Sequence, residues 1–214
     1  MNRTFLIFLM IASALLIAVL GKPPTQQHSD FLPWDIRMPA ADKLQVFGIT
    51  LGKTRLEGAN QILSRFPETQ LHYEDGMPDH LVSHYKGINL GGLLATLELD
   101  SQLTPLLIDE IESIPAPESG SYAPIPEGLK METLTSLVYR ARFIPQVNMS
   151  EDEVLSRFGP PERQQRISNT EMIYYYPSMG LTIHLDRQHQ DQFIYQPPSF
   201  HSAAQQTSDK PAKH

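Results

Sequence analysis

Cysteine is absent from the sequence, and several classes of protein are excluded with it. An exported chain without cysteine has no disulfide framework, no thiol chemistry and no lipid anchor on a cysteine, so its core must hold by packing alone. Runs of basic residues are also missing: 17 Lys and Arg stand against 24 Asp and Glu, for a net charge of -7. Because nucleic-acid binding depends on clustered Lys and Arg, we expect no nucleic-acid partner.

The signature motifs of the common enzyme classes are missing as well. The sequence has no G-x-S-x-G, P-loop, G-x-G-x-x-G or H-E-x-x-H pattern. Asp79, His80 and His84 are the best candidate group, and the two histidines have the spacing at which a helix could present them to Zn²⁺. The sequence of residues 81–85 favours a strand, however, and in a strand these two positions are about 13 Å apart. We therefore predict no enzyme, no metal and no cofactor, with both histidines facing solvent.

The first 21 residues indicate the compartment. Arg3 precedes an uncharged stretch, residues 4–21, which would be about 27 Å long as a helix. This is short for a membrane span and long for a signal-peptide core. Because the cleavage context is poor, we expect a signal anchor that crosses the inner membrane once and leaves the rest in the periplasm. The alternative is a cleaved signal peptide and secretion to the periplasm.

Three further segments differ in composition from the rest. Residues 22–42 are rich in proline and polar residues and are predicted to be a tether. The only tryptophan, Trp34, lies there in an apolar stretch that either docks on the domain as a strap or contacts a partner. Residues 112–136 are predicted to be a Pro-rich linker. Residues 199–214 are predicted to be a disordered tail.

Residues 43–111 and 137–198 share helix landmarks in the same order, which indicates an internal repeat. Thr54 with Glu57, and Ser150 with Glu153, have the spacing of a capping box at a helix start. Each box is followed by the tetrapeptide Leu-Ser-Arg-Phe, and glycine and prolines after the second tetrapeptide end its helix. The pattern predicts one short helix in each segment.

Strand patterns follow each predicted helix. Both segments contain a T-x-x-L-D sequence that alternates between apolar and polar residues, ending at Asp100 and at Asp186. The predicted strands are 69–73, 81–85, 93–99 and 106–111 in the first segment, and 171–176, 181–186 and 192–196 in the second. The predicted fold is therefore α+β, with two repeated units (43–111 and 137–198), each a short helix packed on an antiparallel β-meander.

The second segment carries a family resemblance through its capped S-x-x-E-V-L helix, the following F-G-x-P, an aromatic strand and a strand containing G-L. It resembles the modules of the SmpA/OmlA (BamE) outer-membrane assembly lipoproteins and the tandem modules of beta-lactamase-inhibitor proteins. Residues 148–198 match clearly and residues 46–111 more loosely. The chain departs from the assembly lipoprotein in having no lipid-bearing cysteine. The resemblance implies binding to other proteins without catalysis.

These observations favour a tethered periplasmic protein that binds an envelope protein, in assembly or maintenance of the envelope. The alternative is a binder of a peptide, lipid or small molecule in a groove between the two units. Three consecutive tyrosines, Tyr174, Tyr175 and Tyr176, place aromatic surface on both faces of one strand. Since aromatic side chains are favoured interface anchors, we predict partner contacts at these tyrosines and at Trp34.

Overall fold

The computed structural model describes residues 31–40, 42–111 and 120–198. The predicted anchor (residues 4–21), residues 22–30 and 41 of the predicted tether, and the C-terminal tail lie outside these ranges. Within them the chain is mixed α+β and is dominated by one large antiparallel sheet. The predicted α+β class is therefore confirmed, whereas its division into two repeated units stays a prediction.

The described residues form twelve strands. These are β1 (Arg37–Ala40), β2 (Lys43–Val46), β3 (Ile49–Thr50), β4 (Glu68–Glu74), β5 (Met77–Leu90), β6 (Leu93–Gln102), β7 (Tyr122–Pro124), β8 (Val138–Pro145), β9 (Arg163–Arg166), β10 (Glu171–Tyr176), β11 (Leu181–Asp186) and β12 (Gln192–Tyr195). Strands β1 to β3 form a small sheet, and the other nine form the main sheet in the order β7-β4-β5-β6-β8-β12-β11-β10-β9. Neighbouring strands are antiparallel throughout.

Short helices connect these strands. They are α1 (Leu56–Leu63), α2 (Pro105–Ile111), α3 (Lys130–Thr133) and α4 (Glu151–Phe158), with 3-10 turns at Glu127–Leu129 and Pro177–Met179. No helix in the described ranges has the length and apolar character that crossing a membrane would need.

The main sheet has one apolar face because apolar and polar residues alternate along its strands. Leu97, Phe143 and Phe193 occupy matched positions on β6, β8 and β12 and point to this face. Helices α1 and α4 and the small sheet pack against it and form the main core. A smaller cluster packs α2 on β4 and β5. In the part of the main sheet formed by β7, β4, β5 and β6, the opposite face carries polar and charged side chains.

The predicted capping box at Ser150 is confirmed. The Ser150 hydroxyl accepts a hydrogen bond from the Glu153 amide at 3.3 Å, and the Glu153 carboxylate accepts one from the Ser150 amide at 2.8 Å. Gly159 then ends the helix as predicted, with a φ of 77°. The strands predicted at 171–176, 181–186 and 192–196 are confirmed, the last ending one residue earlier.

The predicted capping box at Thr54 is wrong. Helix α1 begins one residue later with Arg55 as its N-cap, and no side chain caps it. The Thr54 hydroxyl instead accepts a hydrogen bond from the Thr50 amide at 3.0 Å. The first amides of α1 donate to the carbonyls of Ser136 and Leu134 at 2.9 and 3.0 Å, so a distant segment satisfies the groups that a cap would satisfy.

The strand predicted at 106–111 is also wrong, because these residues belong to α2. Thr104 accepts a hydrogen bond from the Leu107 amide at 3.3 Å, and Pro105 occupies the first helical position, where its missing N–H costs nothing. The segment predicted to be a linker contains structure as well. Strand β7 pairs with β4, and Ile125 and Thr133 are buried.

Candidate binding surfaces

Two of the three tyrosines belong to the interior. Tyr174 and Tyr176 are buried, with the Tyr174 hydroxyl donating to Glu151 Oε1 at 2.6 Å and the Tyr176 hydroxyl to the Gly159 carbonyl at 3.0 Å. Burial raises the pKa of both phenols. Their rings pack under α4 and are buried within the chain, so partner contacts at these two residues stay a prediction without exposed surface to support it.

Tyr175 lies on the opposite face of the sheet because successive strand residues alternate. Its ring is half-buried, and the Arg163 guanidinium lies 4.1 Å from the ring centroid. Its hydroxyl is 3.2 Å from Gln165 Oε1. Both partners come from the edge strand β9. Tyr175 therefore stays a predicted contact residue, on a surface where neighbouring side chains already cover part of its ring.

Trp34 lies against α4. Its ring meets the Phe158 ring edge-on at a centroid distance of 6.5 Å, and the Arg157 guanidinium is 4.3 Å from its centroid. The Pro33 carbonyl beside it accepts a hydrogen bond from the buried Tyr195 hydroxyl at 2.9 Å. Residues 31–36, which we call the strap, thus lie on the domain and cover Phe158. Only part of the tryptophan ring stays available to a partner.

An apolar groove that the sequence did not indicate lies beside α1. Its volume is about 470 Å³, and it is lined by Leu56, Asn60, Phe66, Pro67, Glu68, Thr69, Gln70, Pro124, Ile125, Lys130, Met131, Thr133 and Leu134. Phe66 is 90% exposed and Met131 is 72% exposed. The groove lies between the first predicted unit and the segment predicted to be a linker, and not between the two units. Apolar side chains this exposed are typical of interaction surfaces when they cluster.

The end of α1 explains the exposure of Phe66. Ser64 adopts the left-handed conformation with a φ of 49°, which stops the helix and redirects the chain. Arg65 then fixes the turn by donating to the Lys86 carbonyl at 2.9 Å. Pro67 follows and cannot continue a helix. Phe66 is therefore held outside the core by its own backbone.

The rim of the groove is polar. Lys86 donates to Glu68 at 2.8 Å, and this hydrogen bond lowers the pKa of Glu68. Lys130 donates to Glu127 at 2.5 Å. Inside, the buried Asn60 accepts from the Tyr85 hydroxyl at 2.5 Å. An apolar centre with a charged rim is the usual composition of a protein-binding site.

The two histidines expected to face solvent are shielded. His80 is 7% exposed and His84 is half-buried, because neighbouring strands crowd the polar face of the sheet. His84 Nδ1 lies 3.1 Å from Glu98 Oε1. Burial opposes ionisation of Glu98, but the hydrogen bond from His84 and the charge of Arg142 together lower its pKa.

A third histidine, His72, lies directly opposite His80 across the β4–β5 ladder, with Asp79 next to both. The sequence analysis singled out Asp79 and His80 but missed His72, because it considered spacing along one strand. The signal was the Asp75-Gly76 turn, whose type of sequence joins two strands as a hairpin and pairs residues on either side of it.

Comparison of the chain with protein-family models, with curated proteins and with solved structures gives no significant match. The resemblance to the BamE and inhibitor-protein modules therefore stays a prediction.

Proposed function

We propose that this protein is a non-enzymatic, inner-membrane-tethered periplasmic protein that binds another envelope protein through the groove around Phe66. The predicted membrane anchor is the apolar stretch of residues 4–21, the tether is residues 22–42, and the groove lies on the domain that follows them. The proposal on location depends on the sequence, and the proposal on binding depends on the surface of the domain.

The observation that carries the proposal is the difference in exposure between two phenylalanines at matching positions. Phe66 and Phe158 end the same tetrapeptide, Leu-Ser-Arg-Phe. The Phe158 ring lies 5.8 Å from the Phe193 ring and 6.1 Å from the Tyr176 ring, and Trp34 of the strap covers it. Phe66 is 90% exposed, and no segment in the described ranges covers it in the same way.

The occupant that fits is an extended segment of a partner protein with at least one large apolar or aromatic side chain. The strap provides a precedent, since it is an apolar segment, turned at Pro33 and Trp34, whose tryptophan covers Phe158. The β7–β4 pairing extends only over Gln70–His72, so the groove begins where this edge of the sheet stops being paired. An incoming strand would find both apolar surface and backbone groups there.

A smaller ligand is the second candidate. A volume of about 470 Å³ is within the usual range of pockets for small molecules, which favours a peptide, lipid or other apolar ligand in the same groove. The two candidates differ in what touches Phe66: a polypeptide or a small molecule.

We also propose that residues 43–111 and 137–198 are two copies of one unit. In support, the meander β4–β5–β6 follows α1 and the meander β10–β11–β12 follows α4, and both meanders pair with β8 through their last strand. Superposing α1 with its meander on α4 with its meander tests this. The absence of a common helix-and-sheet core would reject it.

Photo-crosslinking in cells tests the binding proposal. The full-length chain receives a benzoylphenylalanine at position 66, with position 147 as the control because Val147 is also apolar and 80% exposed. We expect a crosslink to one other protein from position 66, its loss when Met131→Asp is added, and no such product from position 147. A lipid adduct at position 66 would favour the second candidate. A link to the chain's own residues, or equal products at both positions, would reject the groove as the site.

A further inference from the structure

His72, Asp79 and His80 form a group of potential metal ligands near the β4–β5 turn. His72 lies on β4, and Asp79 and His80 lie on β5. The register pairs His72 with His80, so the two imidazoles occupy the same face of the sheet. Asp79 reaches this face because the ladder is irregular next to His72 and Tyr73. The fold therefore brings together three residues that are not adjacent in sequence.

The distances within this group are close to those of a metal centre. One ligand atom from each residue can be chosen so that all three lie within 4.8 Å of one another. His80 Nδ1 is 2.5 Å and His72 Nδ1 is 3.7 Å from Asp79 Oδ2. In a tetrahedral Zn²⁺ site the ligand atoms are about 3.3 Å apart, as follows from metal–ligand bonds of about 2.0–2.1 Å. Small side-chain rotations would bring the three atoms to that spacing.

Two further observations indicate a ligand at this place. His72 Nδ1 is buried and has no hydrogen-bond partner, which is costly for a ring nitrogen. Behind His80, the Asp100 carboxylate is 2% exposed, and its Oδ2 lies 3.9 Å from His80 Nε2. Arg140 donates to the same oxygen and holds the carboxylate in place. A carboxylate behind a histidine is the usual support for a metal-binding imidazole, since it orients the ring and makes it more basic.

We propose that His72, Asp79 and His80 bind a divalent transition-metal ion, Zn²⁺ foremost, with Asp100 as the positioning residue behind His80. Zn²⁺ would take His72 Nδ1, His80 Nδ1 and the Asp79 carboxylate as ligands, and a fourth position stays open to water. Two imidazoles and one carboxylate suit Zn²⁺ and neighbouring metals and do not suit Ca²⁺ or Mg²⁺, which prefer oxygen. Coordination would replace the hydrogen bond between Asp79 and His80.

The location gives the bound ion a structural consequence. The ligands lie on both strands of the β4–β5 hairpin, and the Tyr122 ring of the edge strand β7 is 5.1 Å from the His72 ring. The bound ion would link the two strands at this end of the hairpin, next to the smaller core cluster.

Zinc titration of the tag-free, full-length chain tests the proposal, with binding followed by calorimetry and the bound ion examined by X-ray absorption. We expect one Zn²⁺ per chain with two imidazole ligands. His72→Ala and Asp79→Ala should each weaken binding about tenfold or more, on the scale known for altered metal shells. Asp79 lies at an exposed position, so its variant should keep the fold.

His84→Ala is the matched control, because His84 lies on the same strand and face as His80 but about 13 Å away. It should bind zinc as the unchanged chain does. Failure of the unchanged chain to bind one equivalent would overturn the proposal. So would zinc binding that survives both His72→Ala and Asp79→Ala, since the ion would then be held by other histidines, such as His201 and His214 of the tail.

Discussion

At the scale of single residues, the start of α4 is stabilised by Ser150 and Glu153 together. Each side chain accepts a hydrogen bond from the backbone amide of the other, which satisfies two of the amides that a helix start leaves unpaired. The hydrogen bond from the Ser150 amide also lowers the pKa of Glu153. The carboxylate stays ionised at neutral pH, where its charge favours the amino end of the helix.

Ser150→Ala should therefore lower the free energy of unfolding by about 0.5–2 kcal/mol, because an amide at the helix start loses its acceptor. Urea unfolding followed by circular dichroism measures the change. Ser156→Ala, at an exposed position within the same helix, is the control and should have little effect. Equal stability of the Ser150 variant and the unchanged chain would mean that the cap contributes nothing measurable.

At the scale of elements, the strap is held at a glycine turn of the main sheet. Gly91 and Gly92 join β5 to β6, and both have positive φ angles, 59° and 87°. A Cβ added at Gly91 would lie 2.5 Å from Leu32 Cδ2 and 3.2 Å from both the Leu32 Cα and the Phe31 carbonyl oxygen. A Cβ added at Gly92 would meet nothing within 4 Å. A side chain at Gly92 would therefore introduce conformational strain alone, whereas a side chain at Gly91 would introduce the strain and also collide with the strap.

Gly92→Ala should cost about 1–2 kcal/mol, the strain of placing a side chain in the left-handed region. Gly91→Ala should cost more, because the backbone of the strap must move as well as the flexible end of Leu32. Since Trp34 belongs to the strap and is the only tryptophan, Gly91→Ala should also shift the fluorescence of the native state. Equal losses in the two variants with unchanged native fluorescence would contradict this account of the strap.

The elements that the sequence predicted are those whose stabilising groups are local. Helix α4 carries its own cap, β11 alternates between apolar and polar residues, and β10 is rich in aromatic residues, so sequence patterns were sufficient. Strand β9 has four polar residues, all exposed, and is a strand only because it pairs with β10. The first amides of helix α1 donate hydrogen bonds to carbonyls in the segment predicted to be a linker. Such long-range partners leave no mark in the local sequence.

The candidate sites were hidden for the same reason. The exposure of Phe66 depends on the left-handed turn at Ser64 and on the position of the segment predicted to be a linker, although its tetrapeptide matches the one that contains the half-buried Phe158. The group of His72, Asp79 and His80 depends on the register of a hairpin. The burial of Tyr174 and Tyr176, by contrast, follows from strand alternation, which fixed that these two share a face but not which face α4 would cover.

At the scale of the whole molecule, the main sheet and the main core continue across both predicted units. On the apolar side, residues of both units form one cluster. On the polar side, Arg140 and Arg142 of β8 donate to Asp100 and Glu98 of β6. The backbone joins them as well, since the Gly52 amide donates to the Val138 carbonyl at 2.7 Å. A duplicated sequence would in this case give one cooperative structure.

We therefore expect a single unfolding transition, in which a substitution far from Trp34 also lowers the urea midpoint measured by Trp34 fluorescence. Leu81 is buried in the smaller cluster under α2, near the start of β5, whereas the strap contacts the turn after the end of that strand. Leu81→Ala should destabilise the fold by about 2–5 kcal/mol and lower the urea midpoint equally in far-ultraviolet circular dichroism and in Trp34 fluorescence. Leu94→Ala is the matched control, because Leu94 is 46% exposed, and its midpoint should hardly change. If circular dichroism showed an early unfolding step while the fluorescence midpoint stayed unchanged, the two units would unfold separately. Only in that case would the loss of packing under α2 leave the environment of Trp34 intact.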